Sequence, residues 1–250
     1  MSRAGFRQAV LFEWTKLRSA RALWGTLVAG GVLPPVFAVI VAATGSLQPD
    51  DTILGASLTG VAGAQLAAIF LGALVLTVEH TTGTLLSTFT VSPRRGTVLA
   101  AKATVAGGLT FGVTLVGATA AFLVGRALLD GDRHATGEPF PALLGVALCV
   151  ALTGLLGLAV GTLLRHSAGA VAAGAGILVL PSFLAPLFGD VQRWVGGASP
   201  LAALEKLTQT SDATHEAVGR LGGGASLLVV AGLALGALAA GARHLHTHDL

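Results

Sequence analysis

The chain has 250 residues, of which 53% are hydrophobic and only 11% charged, against about 25% charged in soluble domains. Its mean hydropathy is +0.80, and so few charges cannot give a soluble globule its polar skin, so the surrounding solvent is largely lipid. The single cysteine, Cys149, excludes a disulfide framework and reads as a small buried apolar residue.

Residues 1–21 come first. Phe6, Val10, Trp14 and Leu17 recur at helical spacing, with Arg3, Arg7, Lys16 and Arg18 mostly off that stripe. This pattern predicts an interfacial helix lying among lipid headgroups; a plain basic flank before the first span is the simpler alternative. Glu13, Lys16, Arg18 and Arg21 interrupt the stretch before any long apolar run, so it does not read as a cleaved signal peptide.

Six apolar runs follow, at about 23–44, 53–78, 98–124, 141–164, 168–188 and 225–242. Each approaches or exceeds the roughly 20 residues that cross a bilayer as a helix. Period-2 alternation is absent, which argues against a barrel. The fold class expected is an all-α integral membrane bundle of six transmembrane helices, forming one domain over 1–250. Pro34 and Pro35 fall inside the first run, Pro181 and Pro186 inside the fifth. Each removes a backbone donor and bends or breaks its helix, either opening a path for substrate or simply shaping the bundle. The 35 glycines suit tightly crossing membrane helices. The pairs Gly108/Gly112, Gly157/Gly161 and Gly232/Gly236 have the spacing for such crossings, although generic packing with no special role is the plainer reading of each.

Lys and Arg orient the bundle. With the N-terminus inside, ten of the 15 basic residues and three of the 12 acids are cytoplasmic. The chain is therefore expected N-in and C-in, and its basicity needs no nucleic acid to explain it.

The main inner loop then reads EHTTGTLLSTFTVSPRRGTVLAAK, residues 79–102. Leu85, Leu86 and Phe89 can share one side of a short surface helix. Ser92-Pro93 ends it, because proline disfavours helical geometry in the residue before it. Arg94 and Arg95 stand at the return to the membrane, and Lys102 can snorkel to the same surface. The positive-inside rule alone accounts for the arginines. It does not account for the apolar residues, which want headgroups or a protein partner.

This loop resembles the first cytoplasmic loop of bacterial ATP-binding-cassette (ABC) exporter permeases of the type-2 class. In that family an acid followed by Gly-Thr opens a short coupling helix, and a Pro-Arg-Arg turn leads to an Ala-Lys at the next span. Glu79, Gly83, Thr84, Pro93, Arg94, Arg95, Ala101 and Lys102 match. The stretches EWTKLRS (Glu13 to Ser19) and LLRHSAGAVA (Leu163 to Ala172) resemble actinobacterial members. One departure is that His80 and Thr81 follow the acid, where the family often has an aromatic and a basic residue.

The resemblance implies a transmembrane permease subunit in the bacterial plasma membrane. It would act with a second permease copy or paralogue and with a separate cytoplasmic ABC ATPase subunit that carries the ATP and magnesium. The coupling interface would comprise Glu79, Gly83, Thr84, Leu85, Leu86, Phe89, Pro93, Arg94 and Arg95. Glu79 would cap the coupling helix or pair with a basic residue of the ATPase, and Glu79→Ala would uncouple without unfolding the bundle. The outer segment 189–222 would resemble the family's partly re-entrant region.

Other chemistries find less support. The sequence contains no G-x-x-x-x-G-K-[ST], no H-E-x-x-H and no G-x-S-x-G. A nucleotide motor, a zinc protease and a serine hydrolase of those types are thus not expected, and no cofactor or metal is assigned to the chain. The central spans have almost no ionisable groups, which argues against ion-driven transport. The tail histidines His244, His246 and His248 can bind a divalent metal, but a solvated tail is the plainer reading. A non-transporting membrane scaffold or sensor of the same fold is the main alternative function.

Overall fold

In the computed structural model, residues 3–47, 50–81, 95–129, 134–164, 166–184, 187, 197–209 and 221–247 are described. Their helices, in chain order, are α1 (Arg3–Ser19), α2 (Arg21–Thr44), α3 (Ile53–Ser57), α4 (Val61–Thr81), α5 (Arg95–Leu128), α6 (Pro139–Leu164), α7 (Ser167–Leu184), α8 (Pro200–Thr208) and α9 (Gly223–Thr247). Six of them, α2, α4, α5, α6, α7 and α9, are long and apolar enough to cross a membrane. No strand occurs among the described residues. The 24 residues of α2 extend roughly 36 Å at 1.5 Å each, enough to cross a hydrocarbon core of about 30 Å.

The six-helix expectation holds, with one correction. The run 53–78 is not one helix. Residues Ile53–Ser57 form α3, the chain turns, and α4 begins at Val61. Hydropathy cannot distinguish these cases, because α3 is fully buried and just as apolar as a span. Its leading amides are satisfied locally: Thr52 Oγ1 accepts from Gly55 N–H at 3.0 Å, and Ile53 N–H donates to the Ala135 carbonyl at 2.9 Å. The turn presses on α2. A Cβ on Gly60 would lie 2.7 Å from the Leu33 carbonyl oxygen and 2.9 Å from Pro34 Cα. Helix α2 itself runs on through Pro34 and Pro35.

Helices α4 and α6 form the axis. The spanning windows of both are 61% buried, against 17–33% in the other four. They touch backbone to backbone. A Cβ on Gly72 would strike the Gly154 carbonyl, and one on Gly161 would lie 2.7 Å from the Ala73 carbonyl oxygen. Gly157 likewise meets the Ile69 carbonyl. Thus Gly157/Gly161 is a true crossing motif. Gly108, Gly112, Gly232 and Gly236 have open space beside them within this chain.

The bundle has two unlike ends. At one, α1 lies against α5 near the end of α4 and the starts of α2 and α5. At the other, α3 and α8 cap the bundle. Of segment 189–222, the described part centres on α8, which Ser199 caps by accepting from Ala202 N–H at 3.0 Å. Ala202, Ala203 and Leu204 are buried. Gln65 of α4 reaches up to hold it, its Nε2 donating to the Pro200 carbonyl at 2.9 Å and to Thr153 Oγ1 at 3.1 Å.

Helix α1 splits its expected stripe. Phe6, Val10 and Leu17 turn toward the bundle, while Trp14 joins Leu11 and Phe12 on the exposed side. The buried position next to Trp14 is instead a carboxylate, Glu13. Ala20 alone separates α1 from α2, and Trp24 Nε1 donates to the Arg18 carbonyl across this corner at 3.1 Å.

Candidate functional site

The buried Glu13 has its partner on α5. Lys102 is the one charged residue between 96 and 125, and its side chain is only 1% exposed. Its Nζ donates to Glu13 Oε2 at 2.6 Å and to Glu79 Oε1 at 2.5 Å. Lys16, one turn past Glu13 on α1, lies 2.5 Å from Glu79 Oε1 and 3.6 Å from Glu13 Oε1. The Lys16 ammonium also stands 5.1 Å from the centre of the Phe12 ring. Two acids and two bases from three helices therefore make a neutral cluster.

The geometry answers a physical need. An ammonium in an apolar interior loses several kcal/mol of hydration unless charges and hydrogen bonds replace it. Two carboxylates do so for Lys102. The expected snorkelling of Lys102 is corrected accordingly: the side chain does not seek the surface but is held inside the protein. Glu79 Oε2 has no hydrogen-bond partner among the described residues. Beside the cluster lies a cavity of about 270 Å³ between α1, α2, α4 and α5, walled on its apolar side by Leu17, Leu23, Val75 and Val105.

The cluster sits at the root of the loop expected to carry the function. Glu79 is in the last turn of α4 and Lys102 is two turns into α5, so their ion pair ties together the two ends of residues 79–102. Of the predicted interface residues, Gly83, Thr84, Leu85, Leu86, Phe89, Pro93 and Arg94 lie outside the described residues, and Arg95 opens α5. Glu79 was expected to cap a coupling helix or to meet a base of another subunit. Its Oε1 pairs with Lys16 and Lys102 of its own chain, and the helix it was expected to cap lies outside the described residues.

Glu13 and Lys16 lie outside the predicted coupling interface. A signal was present. Glu13 is the lone acid in a basic segment and lies three residues after Val10 and four before Leu17, on one helical side. An isolated lysine inside an apolar span needs such an acid somewhere.

At the opposite end a second cavity, about 320 Å³, opens between α2, the turn after α3, α4 and α8; Leu58, Thr59, Leu204, Asp51 and Glu205 are among its walls. Nearby, Lys206 Nζ donates to Ser226 Oγ at 2.9 Å. Desolvation pushes the Lys206 ammonium below the usual lysine range, with Glu205 pulling the other way. No group of three or more metal-ligating side chains occurs among the described residues.

Comparison with known families places these features. Residues 9–183 match the family model described as ABC-2 family transporter protein. The match contains Glu13, Lys16, Glu79 and Lys102, all four members of the cluster. No curated protein shows significant similarity to the chain. With most of its length inside the family model and six helices fit to span a bilayer, the chain is a multi-pass membrane protein and belongs to the ABC-2 family of transporter proteins.

Proposed function

We propose that this permease is the membrane half of an exporter, driven by a separate cytoplasmic ABC ATPase that docks on residues 79–96. The observation that carries the reading is the stapling of this loop at its root. The ends of α4 and α5 are locked to each other and to α1 by buried charge, so a push on the loop has a rigid path into the bundle. The sequence has no phosphate-cradling loop of its own, which is consistent with ATP chemistry on another polypeptide. A second permease copy or paralogue completes the pair. Beyond the neutral cluster the α1 end carries Arg7, Arg18 and Arg21, which supports its placement at the cytoplasm of a bacterial cell. The predominantly apolar interior suits an amphiphilic or apolar cargo.

The test is co-purification of the tagged chain in mild detergent, with ATPase assay and mass spectrometry. An ATPase subunit is expected with the native chain and not with Leu85→Glu/Phe89→Glu, which charges the apolar side of the loop. No ATPase with the native chain, or undiminished ATPase with the double variant, refutes docking at this loop.

A further inference from the structure

We infer that the Glu13–Lys16–Glu79–Lys102 cluster is the element that transmits displacement of the loop to α1 and α2, making Glu13 and Lys102 positioning residues for coupling. The inference rests on the docking reading above and assigns a role to α1 that the reading alone does not.

Three observations carry it. First, the cluster joins three elements that are otherwise separate in sequence. Glu79 precedes the loop, Lys102 follows it, and Glu13 and Lys16 belong to α1. Movement of either loop end therefore pulls on α1 through contacts of 2.5–2.6 Å. Second, α1 cannot move without α2. One residue, Ala20, connects them, the Trp24 indole grips the Arg18 carbonyl, and Leu17 and Leu23 are buried in one apolar cluster with Leu71, Val75 and Leu99. Third, the charges are a poor way to secure the fold itself. Replacing a buried ionic cluster with apolar side chains of similar volume is often neutral or stabilising. A directional tie between helix ends is what ion pairs supply here and apolar contacts do not, since the apolar contact can slide whereas Nζ must stay within reach of both carboxylates.

The experiment uses the full chain reconstituted with the ATPase that co-purifies with it. Thr59→Cys serves as reporter, because Thr59 is exposed on the cavity at the far end of the bundle and the only native thiol, Cys149, is buried. The rate of reaction of this cysteine with a polar maleimide is read with and without ATP plus vanadate, alongside ATP hydrolysis and thermal unfolding.

In the native background ATP is expected to change the labelling rate. In Glu13→Gln/Lys102→Met, which removes one acid and one base together and keeps the Lys16–Glu79 pair, the ATPase stays bound and the protein stays folded. The ATP-dependent change in labelling is lost. Lys102→Arg keeps a cation within reach of both carboxylates and retains the response. A double variant that binds the ATPase and still shows the native ATP response overturns the inference while leaving docking intact. If the native chain retains no ATPase, the docking reading fails and this inference fails with it.

Discussion

Lys102→Met offers the sharpest test of the buried cluster. Methionine keeps much of the lysine stem and removes the ammonium. Glu13 and Glu79, each now held at 2.5–2.6 Å from Nζ, then face each other across the space it occupied. Two carboxylates about 5 Å apart repel by about 3 kcal/mol at an effective dielectric of 20. Lys16 remains beside Glu79 but is 27% exposed, so water screens much of its relief. Removing one partner of a buried ion pair typically costs about 3–5 kcal/mol, and the two routes agree. For a chain of this size each kcal/mol lowers the midpoint by about 2–4 °C, so thermal unfolding in detergent should fall by about 6–20 °C. Glu13→Gln/Glu79→Gln/Lys102→Met should recover most of that loss. A single variant within about 1 kcal/mol of native, or a triple variant no more stable than the single, would refute the electrostatic account and leave Lys102 a mere space-filler.

The glycines divide by location. Gly72→Ala places a methyl on the Gly154 carbonyl and should cost at least about 1–3 kcal/mol by overpacking. Gly108→Ala and Gly232→Ala, with nothing within 4 Å, should be stabilising by roughly 0.5–1 kcal/mol; equal effects at all three sites in thermal unfolding would contradict the crossing. The proposed orientation is checked in intact cells with a membrane-impermeant maleimide. Thr59→Cys should react at once and Ser19→Cys only after permeabilisation, and the reverse pattern inverts the topology. Gln65→Leu removes the two hydrogen bonds that hold Pro200 and Thr153, and faster proteolysis around 197–209 should follow at an unfolding cost of about 1–3 kcal/mol.

How much of this could be read in advance depended on the physical signal each feature leaves. Spans announce themselves through length and apolarity, and six were legible. The division of 53–78 was not, because a short helix buried at one end of a bundle has the same composition as a membrane span. What separates them is Gly60 lying against Leu33 and Pro34, a contact between distant segments. The stripe on α1 was legible as amphipathic but misassigned by one position, since Trp14 looks like the buried residue until Lys102 is known to need Glu13. The pairing of Glu79 was missed for a related reason. An acid at the end of a span suggests helix capping or an intermolecular partner, and only the folded bundle brings residues 13, 79 and 102 to one point.

That convergence changes what Glu79→Ala can reveal. With the carboxylate free, the substitution would act on coupling alone. In the cluster it removes one of two acids that balance a lysine only 1% exposed, so it should lower stability as well as coupling, and a loss of transport in that variant would not separate the two. Gly83→Pro acts outside the cluster and leaves its charges intact, so it is the cleaner probe of the loop. The same bookkeeping bears on orientation. Lys16 and Lys102 are neutralised by Glu13 and Glu79 and so contribute little to the field at the membrane surface. Setting them aside leaves eight basic residues on the proposed inner side against five on the outer. The asymmetry behind the proposed orientation therefore rests on arginines, which leaves the two lysines free to serve the cluster.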